Sequence, residues 1–144
     1  LKDVKSLFDT NFFSQYLFTQ YILKGMMKNK NGSIIFISST SAEDGNPGRS
    51  AYSASKSAIN SLTLSLSKEL GAFKIRVNAI APGLTDTDMM RDSTSKENIE
   101  EVVRSVSLKR FANPEEISKV VLFLSSDLSS YMTGQVLRVD GGMK

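Results

Sequence analysis

A tyrosine and a lysine stand four residues apart in the stretch SAYSASKSAI, at positions 50–59. On a helix, this spacing places the Tyr52 and Lys56 side chains on one face, one turn apart. An ammonium close to a phenol favours the ionised form of the phenol, so the pair could carry proton chemistry. The same short pattern also arises by chance on a solvated helix face, and the surrounding sequence must decide between these interpretations.

The residue types that are missing narrow the chemistry further. No cysteine or histidine occurs among the 144 residues, which excludes disulfides, thiolate catalysis, histidine triads and the usual zinc sites. Proton transfer near neutral pH must then use Tyr, Lys, Asp or Glu. Asp86 and Asp88 are two carboxylates on one loop without a third candidate ligand, and we expect no metal.

Composition and charge indicate a globular protein, with 40% hydrophobic and 23% charged residues. The net charge of +3 is mild and the lysines are scattered, so we expect no nucleic-acid partner. No apolar run reaches the ~20 residues of a membrane span, and we see no signal peptide. The sequence therefore predicts a cytoplasmic protein without a membrane partner.

Apolar periodicity predicts alternating helices and strands. The predicted order is helix 2–28, strand 33–38, loop 39–50, helix 51–70, strand 74–81, a polar loop with a short helix in 84–110, helix 113–126 and strand 134–142. Short continuous apolar strands are typical of a parallel sheet that is buried on both faces. The alternation predicts an α/β fold with right-handed crossovers, as one domain or part of one over residues 1–144.

Residues at the helix ends refine these predictions. Ser50 is expected to cap the start of the second helix, and Gly71 stands where a C-terminal cap glycine belongs. Asn113, followed by a proline, is typical of the N-cap of the last helix. Apolar residues recur at spacings near three and four along the first predicted helix, namely at Val4, Leu7, Phe8, Phe12, Leu17, Phe18, Ile22 and Met26.

The carboxyl ends of the predicted strands are the natural place for a site, because ligands of open parallel sheets bind there. Ser39 follows the first strand, and Pro82 with Gly83 ends the second. Tyr52 and Lys56 lie in the first turns of the helix that follows the Ser39 loop. We therefore expect Ser39, Tyr52 and Lys56 at the same edge of the sheet.

These motifs resemble, in order and in spacing, the short-chain dehydrogenase/reductase family. Ser39 precedes Tyr52 by 13 residues, and Asn11 precedes Ser39 by 28, as in that family. The matching segments are NFF, SIIFISST, YSASK, VNAIAPGLTDT, RFANPEEIS and MTGQVLRVDGG. The family's T-G-x-x-x-G-x-G loop and N-N-A-G segment do not occur here. The resemblance therefore implies the C-terminal part of a Rossmann-like, doubly wound parallel sheet, with three strands and their helices and without the N-terminal nucleotide-binding part.

The resemblance also implies roles for four residues. Tyr52 would be the general acid in carbonyl reduction and the base in the reverse direction, while Lys56 supports it and hydrogen-bonds the nicotinamide ribose. Ser39 would hold the substrate oxygen; its neighbour Ser38 is the alternative, and the interval to Tyr52 favours Ser39. Asn11 would hold a water of a proton relay, the alternatives being a local kink or a buried, satisfied amide.

By the same resemblance, NADP or NAD is the cofactor, and the sequence does not distinguish the two. The segment after the second strand would meet the nicotinamide, with a plain tight turn as the structural alternative. The implied cofactor contacts are Tyr52, Lys56, Pro82, Gly83, Thr85 and Thr87.

The implied function is that of an NAD(P)-dependent oxidoreductase acting on a carbonyl or alcohol. The chain looks like compact bacterial members of the family, among which 3-oxoacyl-acyl-carrier-protein reductases with acyl thioester substrates are common. Sugar and polyol dehydrogenases share the same C-terminal pattern. In that family the equivalent long helices pair between subunits, so the resemblance also implies a homodimer or homotetramer. An inactive fragment or dimerisation module is the alternative of another class, because no Gly-rich loop is present to bind a pyrophosphate.

Overall fold

The predicted alternation of helices and strands is confirmed by the computed structural model, which describes residues 2–88 and 96–143. The strands are β1 (Gly32–Ile37), β2 (Ile75–Pro82) and β3 (Val136–Val139), and they form a parallel sheet in the order β1-β2-β3. The helices are α1 (Lys2–Phe8), α2 (Ser14–Asn29), α3 (Ser41–Asp44), α4 (Ser50–Leu70), α5 (Lys96–Ser105) and α6 (Pro114–Ser125). Part of the loop predicted within 84–110, residues 89–95, lies outside the described residues.

Helices cover both faces of the sheet. Ile34 of β1 packs with Ile59 of α4 in the main buried core, whereas the hydroxyl of the adjacent Ser33 donates to the Leu124 carbonyl of α6 at 2.8 Å. Adjacent strand residues point to opposite faces, so α4 and α6 lie on opposite sides. β2 is the central strand, and within the described part of the chain β1 pairs along one edge only. This is the predicted doubly wound arrangement.

The first predicted helix contains an irregular turn. α1 and α2 are joined by a π-helical turn at Asp9–Phe13, after which the Ser14 N–H bonds to the Asp9 carbonyl, five residues back. Thr19 is buried on this helix, whereas Leu17 and Phe18 are 61% and 66% exposed. Leu17 is two residues from Thr19, a rotation of about 200° on an α-helix, so it faces away from the sheet. The apolar residues of the first predicted helix therefore do not share one buried face, since Val4 is exposed as well.

Two of the three predicted helix caps differ from expectation. Ser50 is the first residue of α4, and Arg49 is the N-cap without a side-chain capping bond. Gly71 follows α4 in a right-handed conformation, because the chain continues into a 3₁₀ turn at Gly71–Phe73, and Lys74 takes the left-handed conformation at φ 57°. Asn113 is confirmed as the N-cap of α6.

A buried amide links the central strand to the turn that leads into β3. Asn78 of β2 is fully buried; its Nδ2 donates to the Met132 carbonyl at 2.9 Å, and its Oδ1 accepts the Gln135 N–H at 3.1 Å. One side chain thus satisfies two backbone groups of the turn that leads into β3. Among the helices of residues 2–88 and 96–143, none combines the length and apolar character needed to cross a membrane.

We expect Asn78→Ala to lower the free energy of unfolding by about 2 kcal/mol, because two partly buried hydrogen bonds to the backbone are lost. Asn31→Ala is the matched control, since Asn31 is exposed and should change stability by less than about 0.5 kcal/mol. Urea unfolding of both variants measures the difference. A loss below about 1 kcal/mol for Asn78→Ala would show that water replaces the amide at no net cost.

Candidate active site

The carboxyl ends of the three strands meet at one edge of the sheet. The Thr40 N–H donates to the Pro82 carbonyl at 3.1 Å, and the Gly83 N–H donates to the Val139 carbonyl at 3.0 Å. These two bonds join the segment that follows β1 to the end of β2, and the residue that follows β2 to the end of β3. Because β1 and β2 each end in a predicted site segment, the edge brings those segments together.

Ser38 and Ser39 are both buried, but their hydroxyls have different partners. The Ser38 Oγ donates to the Asn60 Oδ1 at 2.6 Å and lies 3.2 Å from the Lys56 carbonyl, so it ties β1 to α4. The Ser39 Oγ accepts the Ser41 N–H at 3.2 Å. Among the described residues its own hydrogen has no acceptor, so Ser39 can donate to a ligand and Ser38 is already committed.

Lys56 and Tyr52 lie one turn apart near the start of α4, as predicted. The Lys56 Nζ is 5.9 Å from the centroid of the Tyr52 ring, which is within the range of cation–π attraction. It donates to the Ile37 carbonyl at 2.9 Å. Lys56 is only 9% exposed, and burial lowers the pKa of its ammonium. The arrangement therefore holds a desolvated cation beneath a partly exposed phenol.

Asn11 lies in the π-helical turn and reaches α4 rather than Lys56 itself. Its Nδ2 donates to the Ser55 Oγ at 3.1 Å, and the Ser55 Oγ donates to the Tyr52 carbonyl at 2.7 Å. Ser55 is fully buried. No sequence pattern singled out Ser55, yet it is the residue through which Asn11 contacts the Tyr52 turn.

In the segment after β2, packing explains why one residue is glycine. A Cβ on Gly83 would lie 2.7 Å from the Cβ of Asp140 and 2.8 Å from its Cα, so only glycine fits against that backbone. The Thr85 Oγ1 donates to the Gly83 carbonyl at 3.3 Å, and Thr87 is exposed. The turn alternative thus has a structural basis at Gly83, and the two threonines lie on the chain that leaves the sheet edge.

The predicted loop 39–50 contains a short helix that the sequence did not reveal. α3 begins two residues after Ser39, and its last residue, Asp44, forms an ion pair with Arg138 of β3 at 2.7 Å. These partners are 94 positions apart, so no local pattern could have identified the contact. Over residues 2–88 and 96–143 we find no group of three or more acidic side chains placed to hold a metal ion.

Comparison with known proteins gives consistent matches over nearly the whole chain. The sequence model of a family described as enoyl-(acyl carrier protein) reductase matches residues 1–144. The 3-oxoacyl-[acyl-carrier-protein] reductase FabG of Chlamydia trachomatis is 47% identical over 139 residues, which cover 96% of this chain and 55% of that protein.

Solved structures agree with these sequence matches. The 3-oxoacyl-[acyl-carrier protein] reductase from Brucella melitensis superimposes with a TM-score of 0.94 at 34% identity, covering 99% of this chain and 53% of that one. A short-chain type dehydrogenase/reductase from Mycobacterium ulcerans gives a TM-score of 0.94 at 33% identity, covering 98% and 52%. The chain therefore spans about half the length of the relatives that it matches.

Proposed function

This chain belongs to the short-chain dehydrogenase/reductase family, and from that premise we propose that it contributes the proton-transfer residues of an NAD(P)-dependent oxidoreductase. The observation that carries the proposal is the Tyr52–Lys56 pair at the Ser39 edge of the sheet. No residue between 2 and 88 or between 96 and 143 is hydrogen-bonded to the Tyr52 hydroxyl, so the phenol can meet a substrate.

In the proposed reduction, the Tyr52 hydroxyl gives its proton to the substrate oxygen as the carbonyl becomes an alcohol. The Ser39 hydroxyl donates to the same oxygen and stabilises the negative charge that develops there. The Lys56 ammonium favours the phenolate that remains on Tyr52. In the reverse direction the phenolate accepts the proton of the alcohol.

The residues at this edge fit the nicotinamide ribose. Lys56 has three N–H donors, and the Ile37 carbonyl is the one acceptor that the described residues offer it. Two donors therefore remain for ribose hydroxyls, and we propose Pro82, Gly83, Thr85 and Thr87 as neighbours of the nicotinamide amide. The cofactor, NADP or NAD, supplies or accepts the hydride. Asn11 is proposed to hold the relay water through its contact with α4.

We propose a 3-oxoacyl thioester as the substrate, because relatives at 41–47% identity are named 3-oxoacyl-[acyl-carrier-protein] reductases. The test follows NADPH and NADH oxidation with a 3-oxoacyl thioester and, separately, with ketose sugars, using the protein expressed from its own gene. Thioester reduction supports the proposal. Reduction of ketoses alone points to a sugar or polyol dehydrogenase, and binding of neither cofactor points to an inactive or dimerising module.

Ser39→Ala is expected to lower the turnover number by about 100-fold, since it removes one hydrogen-bond donor from the developing oxyanion. Ser38→Ala is the matched control, because the Ser38 hydroxyl joins β1 to α4 and should affect stability instead. Steady-state kinetics and thermal unfolding of both variants separate the two effects. A larger rate loss in Ser38→Ala than in Ser39→Ala would reverse the assignment.

We also propose a homodimer or homotetramer formed through α2 and α4. The π-helical turn and α2 expose several large apolar side chains and α4 exposes one, and exposed apolar surface often marks an interface. The exposed residues are Phe13, which ends the π-helical turn, Tyr16, Leu17, Phe18 and Tyr21 of α2, and Leu64 of α4. Sedimentation of the protein tests the oligomeric state. The cytoplasmic location stays a prediction from the sequence.

A further inference from the structure

One guanidinium joins the loop after β1 to the end of β3. Arg138 pairs with Asp44 through two parallel hydrogen bonds of 2.7 Å each. It also contacts the Glu43 carboxylate at 3.1 Å and the Asp140 carboxylate at 2.8 Å. The hydrogen bonds from Arg138 hold the pKa of Asp44 below its usual value. Three carboxylates from two segments thus share one cation.

The Asp44 end of this pair lies on α3, and the other end of α3 touches Ser39. The Ser41 N–H at the start of α3 donates to the Ser39 Oγ at 3.2 Å. The Asn46 Nδ2 donates to the Ser41 Oγ at 2.8 Å, and the Ser57 Oγ donates to the Ala42 carbonyl at 2.7 Å. α3 is a single turn of four residues, with Ser41 at its first position and Asp44 at its last.

We propose that Arg138 is a positioning residue that acts through α3 to orient the Ser39 hydroxyl. This inference rests on the proposed function of Ser39. With one lone pair of the Ser39 oxygen held by the Ser41 N–H, the hydroxyl hydrogen is directed to the substrate oxygen. If Arg138 no longer pairs with Asp44, α3 can turn, and the Ser39 hydroxyl samples rotamers that do not meet the substrate. The consequence is a loss of turnover rather than of substrate affinity.

A purely structural role for Arg138 predicts a different result. The Arg138, Glu43 and Asp44 side chains are 29%, 41% and 41% exposed, and ion pairs with that much solvent contact contribute little to folding. Arg110 offers a matched control, because it also forms a two-bond pair, with Glu116 at 2.6 and 2.7 Å, but at the start of α6. Arg110→Gln removes an equivalent pair that makes no contact with α3.

The experiment is a double-mutant cycle between Arg138→Gln and Ser39→Ala, measured in the protein expressed from its own gene. We expect Arg138→Gln to lower the turnover number about 10-fold with KM unchanged, and to have no further effect when Ser39 is already alanine. Arg138→Lys should recover only part of the rate, since an ammonium cannot form the two-bond pair. Arg110→Gln should leave the turnover number unchanged. An equal loss with and without Ser39 overturns the proposal.

Hydrogen exchange of the Ser41 amide gives a readout that does not depend on turnover. Arg138→Gln should raise its exchange rate about 10-fold, and Arg110→Gln should not change it. If the wild-type protein reduces no carbonyl, the proposed function fails while this measurement still decides whether Arg138 fixes α3. An unchanged Ser41 exchange rate in Arg138→Gln overturns the proposal whatever the activity.

Discussion

Replacing Tyr52 by phenylalanine is expected to lower the turnover number by about 1,000-fold, because the substrate oxygen loses its proton donor. Only one oxygen atom is removed, and the Tyr52 hydroxyl makes no hydrogen bond with the described residues that the fold could lose. Cofactor affinity and thermal stability should therefore stay close to those of the wild type. Steady-state kinetics, together with the fluorescence of bound NAD(P)H, measure the two quantities.

Tyr21→Phe is the control for this prediction, since it removes the same atom from a tyrosine that is 87% exposed on α2. It should retain the wild-type rate. If Tyr52→Phe keeps more than about a tenth of the wild-type rate, the proton comes from another group or from water. A simultaneous loss of cofactor binding would instead indicate that the hydroxyl holds the cofactor.

Lys56→Met is expected to lower turnover by about 100-fold and cofactor affinity by about 10-fold, because both the phenolate and the ribose lose the ammonium. The same substitution should make the folded protein more stable. Burial lowers the pKa of Lys56, so the folded state disfavours the charged form. Removing the charge should raise the free energy of unfolding by on the order of 1 kcal/mol at neutral pH.

The sign of this effect gives a pH test. Because the folded pKa of Lys56 is depressed, the unfolded state binds more protons between that pKa and the ordinary value of 10.5. Wild-type stability should therefore rise with pH in this window, and the advantage of Lys56→Met should disappear. Urea unfolding at neutral pH and at about pH 10 compares the wild type with Lys56→Met. Lys68→Met is the control, because Lys68 is exposed. A variant that is less stable at neutral pH would mean that the Ile37 bond outweighs desolvation.

The order of helices and strands could be predicted from the sequence because it depends on short-range patterns. The β-branched runs, the alternation of elements and the Asn113 cap each depend on a few neighbouring residues, and the structure confirms them. The same holds for the Tyr52–Lys56 spacing, which any α-helix turns into proximity. The choice of Ser39 over Ser38 came from family spacing, and the hydrogen bond from Ser38 to Asn60 now supports it physically.

The remaining features depend on contacts between distant parts of the chain. The ion pair between Arg138 and Asp44 joins residues 94 positions apart, and α3 is too short to have a periodicity of its own. The exposure of Val4, Leu17 and Phe18 could not be predicted from their spacing, because periodicity identifies an apolar face but not what covers it. The conformation of Gly71 could not be predicted from its place after the helix, because it depends on the 3₁₀ turn that follows.

The π-helical turn at Asp9–Phe13 lets one helix keep two rotational phases. A π turn holds one more residue than the α-helical turn it replaces, so the side chains before it are rotated by about 100° relative to an uninterrupted helix. Without that offset, α1 and α2 would share a single phase, and Asn11 and Thr19 could not each keep their present direction. The irregular turn thus makes the direction of the Asn11 side chain toward α4 independent of the helix face that packs on the sheet.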